Sequence, residues 1–187
     1  MLKILVTGVF ATGKTTLVKK VTDIATREDG LQIELVQDVA RDEDVPQNKD
    51  QTYLSTLAHF GYHLGRESEA AFKSNDIILC DRGIPDILSH ALEMLEAVGS
   101  TMIGYDTFVE SCKSWLEHYD KIVRCFPGKE QIKDDGVRIK DEKYRRRLGR
   151  RMDEIFQAAS KEVIDLPQET EDRVQTVMAI IRRWRQG

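Results

Sequence analysis

The sequence is poor in cysteine, and none of it is paired by spacing: Cys80, Cys112 and Cys125 are an odd set without a C-x-x-C. That pattern argues against a disulfide framework and a zinc ribbon, and for a reducing, cytoplasmic setting. Long apolar runs are missing too. No stretch approaches the ~18 residues a membrane span requires. After Lys3 only three strongly apolar residues precede polar ones, so no secretory leader is expected. Positive charge is not in excess either: with a net charge of −4 and an isoelectric point near 5.6, bulk nucleic-acid binding is not favoured. Repeats, low-complexity tracts and an interdomain linker are absent. With 41% hydrophobic and 32% charged residues, the 187-residue chain reads as one globular domain, 1–187, marginal in length for two.

What is present begins at the N-terminus. Ile4, Leu5 and Val6 form an apolar run suited to a fully buried strand. Gly8 to Thr15 then spell G-x-x-x-x-G-K-[ST], and residues 16–20 continue with helical spacing. Strand, glycine-bounded loop and helix start are the context a phosphate-binding loop needs. A polyphosphate requires several N–H donors converging on it, so the backbone must approach it without intruding side chains. Gly8 and Gly13 permit that path, with Ala11, Thr12 and Thr16 completing the cradle. Lys14 would reach the β- and γ-phosphates of ATP, and the Thr15 hydroxyl would ligate Mg²⁺.

Further along, strand-like runs at 31–36, 76–81, 121–126 and 163–167 alternate with helical patterns. Those patterns cover about 13–26, 51–72, 85–98 and 103–119, then a helix through 159 and a last one capped by Thr170. Within 51–72, Tyr53, Leu54, Leu57, Phe60, Leu64 and Ala71 recur at helical spacing and predict an apolar inward face, with Gly61 and Gly65 allowing close packing. The alternation predicts an α/β protein: three layers, α/β/α, around a mostly parallel five-stranded sheet. Ligands in such sheets collect beyond the carboxyl ends of the strands, so Gly8, Asp38 and Asp81 should converge there with the basic segment described next.

Residues 127–151 carry ten Lys/Arg against five acids, so this segment is +5 and the remainder −9. A local anionic ligand and a solvated helix face both account for it. Asp81 closes the apolar residues 77–80 in the manner of a Walker B strand, where a carboxylate can hold Mg²⁺ beside Thr15; a structural turn cap is the alternative. His59 and His63 are spaced i,i+4 with no carboxylate between them, which suits packing better than zinc chemistry.

Taken together, the phosphate loop, an acid after the second strand, Asp-Arg after the third and a late arginine-rich segment resemble the P-loop nucleoside and nucleotide kinases. The chain is more similar to the AAA-type group that includes the ribosylnicotinamide kinase domain of the bacterial NAD regulator. The shared patterns stand here as Asp38-Val39-Ala40-Arg41, Asp81-Arg82-Gly83-Ile84-Pro85-Asp86 and Asp135-Gly136-Val137-Arg138. That resemblance implies a P-loop NTPase fold with a helical basic lid at 127–151. It also implies ATP and Mg²⁺ as cofactors and a nucleoside hydroxyl or a nucleotide as acceptor, and it admits a homodimer. Lys14, Asp38, Asp81, Arg82, Arg138 and Arg146 become the catalytic candidates, with Asp38 orienting or deprotonating a hydroxyl and Arg41 and Arg82 near the acceptor. Arg145 and Arg147 are further lid candidates, and Leu166 and Pro167 would lie near the adenine. The family usually has Glu where this chain has Asp38.

Three rival classes fit the sequence less well. A regulatory GTPase needs Asn-Lys-x-Asp, and Asn48-Lys49-Asp50 lacks the spacer. An AAA+ or ABC motor needs a small lid domain or a signature loop. A nucleotide-sensing module would share the phosphate loop but needs no acceptor, so the acids and the arginine segment favour a kinase over it.

Overall fold

The computed structural model describes residues 1–38, 45–46, 50–73, 75–98, 104–127 and 141–187. Its centre is β1 (Leu2–Thr7), buried along its whole length. β2 (Ile33–Val36), β3 (Ile77–Asp81), β4 (Lys121–Arg124) and β5 (Ile164–Asp165) join it in the order β2-β3-β1-β4-β5, and every pairing is parallel. Both faces of β1 are covered, which is why its sequence is a continuous apolar run instead of an alternating one. Leu2, Ile4 and Val6 pack with α1 (Lys14–Arg27) and α6 (Thr170–Gln186), while Leu5 faces the other layer. That second layer holds α2 (Tyr53–Phe72), α3 (Ile84–Val98), α4 (Tyr105–Trp115) and α5 (Glu142–Ala158). Cys80, Cys112 and Cys125 are free thiols, all buried. Among the described residues no helix is long and apolar enough to cross a membrane.

Two expectations from the sequence are corrected, the first in part. α2 opens on a reciprocal Thr52/Ser55 capping box, and Leu57 and Phe60 pack partly buried on the core as expected, but the fully buried positions are Ser55, Thr56, His59, His63, Glu67 and Ala70. Leu54 and Phe72 are 77% and 92% exposed, and nothing lies within 4 Å of a Cβ built at Gly61 or Gly65. The fully buried positions are mostly polar because polar partners wait for them. The Glu67 carboxylate accepts from Trp115 Nε1 (2.8 Å) and Tyr119 Oη (2.6 Å) and pairs with Lys3 Nζ (2.6 Å) and His63 Nε2 (3.1 Å). At the last helix Glu169, and not Thr170, is the N-cap, and it makes no side-chain capping bond.

Candidate active site at the carboxyl edge of the sheet

The parallel register sets Val6 against Asp81 and Val36 against Cys80, so the loops leaving β1, β3 and β2 start side by side. The first is the phosphate loop. At Gly8, φ is +132° and a Cβ would lie 2.3 Å from the Cys125 carbonyl oxygen, so only glycine lets the end of β4 close on this turn. Ala11 and Gly13 are left-handed at φ +57° and +81°, and Gly13 is the N-cap of α1. The helix therefore begins with its amides turned to the loop, an arrangement that receives phosphate. Lys14 is buried inside this loop. Its Nζ donates to the carbonyls of Gly8 (2.7 Å) and Val9 (2.8 Å) and to Thr12 Oγ1 (3.3 Å). Burial, reinforced by the neighbouring Arg82 charge, lowers its pKa to about 8.

Thr15 Oγ1 donates to Asp81 Oδ2 at 2.7 Å. A hydroxyl and a carboxylate so placed fit Mg²⁺, which takes one or two carboxylates together with phosphate and water oxygens in preference to an all-protein cage. Next along the chain, Arg82 adopts φ +73°, which turns its side chain between two acids. Its Nε donates to Asp38 Oδ2 (2.6 Å) and its Nη1 to Asp86 Oδ1 (3.4 Å). Asp86 Oδ2 also accepts from Thr7 Oγ1 (3.0 Å) and the Gly83 amide (3.1 Å). Burial raises the Asp86 pKa against the pull of Arg82 and Lys14. Burial lowers that of Arg82, but the carboxylates of Asp38, Asp86 and Asp81 more than reverse the effect, so the guanidinium stays charged. The structure thus brings Lys14, Thr15, Asp81, Arg82 and Asp38 to one rim.

The basic segment divides. Arg41 and Arg138 lie outside the described residues. Arg146 is exposed and its Nε donates to the Glu142 carbonyl at 3.3 Å, while Arg145 pairs with Glu142 at 3.2 Å. Arg147 and Arg151 reach across to Glu93 of α3 (2.6 and 3.3 Å), and Arg151 also pairs with Glu96 and Glu154. These two arginines neutralise acids between α3 and α5. Leu166 is buried and Pro167 offers its carbonyl to Arg173.

Residues 3–173 match a protein family described as an AAA domain. The chain belongs to that family. Among solved structures, the AAA domain is similar to deoxyadenosine kinase from M. mycoides with bound dCTP, with a TM-score of 0.67 at 12% identity. A structure of that enzyme with products dCMP and a flexible dCDP bound gives a TM-score of 0.65 at 10% identity. In both, the match covers 97% of this chain and 100% of the other. The likeness is one of fold: a parallel five-stranded sheet with helices on both faces, as in P-loop kinases. No curated protein matches the sequence.

Among the residues that shape this site, Gly83 and Asp86 stand in the Asp81–Asp86 pattern, whereas Thr7, His63, Glu67 and Tyr119 have no motif to announce them. Thr7 and Asp86 brace the Arg82 turn. His63 supports it from below: its Nε2 faces the Arg82 carbonyl (3.1 Å) and the Glu67 carboxylate, both acceptors, so Nε2 carries the proton. Tyr119 Oη accepts from the Ile84 amide (3.3 Å), and a Cβ on Gly83 would fall 2.5 Å from that oxygen. Of those four the sequence pointed only to His63, through its i,i+4 spacing with His59, and that spacing suited packing.

Proposed function

We propose that this AAA domain is an ATP-dependent, Mg²⁺-assisted phosphotransferase that moves the γ-phosphate of ATP onto the hydroxyl of a nucleoside-type acceptor. The observation that carries this reading is the Asp38–Arg82 pair, 2.6 Å apart on the same rim as Thr15 and Asp81. A nucleotide-sensing module has no need for a second acid and a cation beside its phosphate loop. A kinase does: the acid takes the proton of the attacking hydroxyl, and the cation meets charge on the transferred group. In this scheme the acceptor oxygen forms the new P–O bond, the bond to the β-phosphate oxygen breaks, and ADP leaves. Lys14 grips the phosphates, and Thr15 and Asp81 would hold the Mg²⁺, which neutralises phosphate charge when bound. The likeness in fold to deoxyadenosine kinase supports a nucleoside-type acceptor, and three buried thiols support a reducing, cytoplasmic setting.

The test is ADP release from ATP across a panel of nucleosides, nicotinamide riboside and nucleoside monophosphates, with products identified by mass. Acceptor-dependent release with a nucleoside monophosphate as product is expected. Release only with monophosphates would make the protein a nucleotide kinase. Acceptor-independent hydrolysis alone would overturn the transferase reading.

A further inference from the structure

Arg173 sits near the start of α6, is only 4% exposed, and donates from each of its three guanidinium nitrogens to a backbone carbonyl. Nη1 donates to Thr12 O (2.5 Å), Nη2 to Phe126 O (3.0 Å) and Nε to Pro167 O (2.6 Å). Those carbonyls lie in three separate segments: the phosphate loop after β1, the residues leaving β4, and the loop after β5. Two of the three contacts span 161 and 47 residues of sequence. The guanidinium also packs on the loop itself, 3.5 Å from where a Cβ on Gly13 would be. A planar fork of fixed geometry holding three loops at once sets the distances between them, which a lysine's single ammonium cannot do.

The sheet order gives those distances a meaning. Asp38 follows β2, Asp81 ends β3 and Arg82 follows it, all on one side of the phosphate loop, while Phe126 and Pro167 follow β4 and β5, on the other. A triphosphate whose terminal phosphate points to the acids must send its nucleoside toward the β4 and β5 side. We propose that Arg173 is a positioning residue for the nucleotide donor. It fixes the loop after β5 relative to the phosphate loop, so that one ligand is held at its base and at its phosphates together. This rests on the reading above that the site takes a nucleoside triphosphate.

Inorganic tripolyphosphate is the base-free probe, since it can touch only the phosphate loop. Calorimetric titration of wild type, Arg173→Met and Arg173→Lys with Mg²⁺–ATP and with Mg²⁺–tripolyphosphate separates the possibilities. Because a tether acts by pre-organising both ends of the site, both variants should lose about tenfold or more in ATP affinity while tripolyphosphate affinity changes by less than roughly threefold. Arg173→Lys binding ATP like wild type would show that charge alone matters, and equal losses for both ligands would show a general role in the loop. Either result overturns the proposal. A measurement on wild type alone guards against variants that fold poorly. Tripolyphosphate should slow amide exchange in residues 166–169 as well as in 8–15, and protection confined to 8–15 would also overturn the tether. Wild-type protein that binds neither ligand overturns the nucleotide-site reading itself, whereas binding without the variant pattern overturns only the role of Arg173.

Discussion

Two residues of the rim make separable demands on chemistry. A hydroxyl acceptor has a pKa far above 7, so a positioned carboxylate helps remove its proton as the new P–O bond forms, and an acceptor that is already a phosphate gains nothing from a base. Asp38→Asn keeps the size of the side chain and its ability to face Arg82 while removing basicity. With the true acceptor, kcat should fall by ~10²-fold or more with a modest change in KM; a loss confined to KM would reduce Asp38 to a substrate grip. Lys14 offers a test that needs no acceptor. Its pKa is lowered to about 8 by burial and by Arg82, so at about pH 9 most of the free protein carries a neutral amine there. A bound triphosphate favours the charged form, so ATP binding at that pH should take up close to one proton, and binding near neutrality should take up almost none through this group. Titration calorimetry in buffers of different ionisation enthalpy reads the number directly. No uptake at the higher pH would mean that Lys14 does not meet the phosphates.

At the scale of elements, the glycines separate close approach from mere permissiveness. Gly8 stands where a Cβ would strike the Cys125 carbonyl, at a φ that other residues avoid. Gly8→Ala should therefore cost roughly 1–3 kcal/mol in denaturant unfolding and disable nucleotide binding. Gly61 and Gly65 lie mid-helix in α2 with open space around them. Gly61→Ala and Gly65→Ala should each stabilise by about 0.5–1 kcal/mol, because alanine restricts the unfolded chain and suits a helix; destabilisation would mean that this face of α2 is covered. The same helix marks the limit of what the sequence discloses. β1, β3 and α1 were legible because local rules decide them: apolar runs buried on both sides, then a glycine-bounded loop opening a helix. The rim residues Lys14, Thr15, Asp81 and Arg82 followed from that motif context. α2 was legible only in part: Leu57 and Phe60 pack on the core, but its fully buried positions are mostly polar, and the Lys3, Trp115 and Tyr119 partners that make this tolerable lie 64, 48 and 52 residues away from Glu67. Arg173 was invisible for the same reason, since nothing near it in sequence shows that it reaches Thr12.

For the molecule as a whole, Glu67 links the sheet, the helices α2 and α4 and the Arg82 turn through one fully buried carboxylate. Burial alone would raise its pKa, but the bonds from His63 and Lys3 outweigh that and hold it down to about 2, below its ordinary 4.5. A carboxylate depressed in the folded state contributes stability that is fully present above the unfolded pKa and is lost as pH falls through the folded one. The window here runs from about pH 4.5 down to about 2, and the gap is worth on the order of 3 kcal/mol at neutral pH. Glu67→Gln removes that charge and strands the buried Lys3 ammonium, so it should cost about 3–5 kcal/mol at pH 7. It should also flatten the acid limb. Denaturant unfolding from pH 7 to 3 is expected to show the stability difference between wild type and Glu67→Gln narrowing as pH falls. Parallel curves would mean that Glu67 does not titrate with folding. Because His63 passes the same carboxylate's support to the Arg82 carbonyl, the variant should also lower kcat at temperatures well below its melting point. A variant with full activity there would confine Glu67 to stability and leave the Arg82 turn to be held by Asp86 and Tyr119.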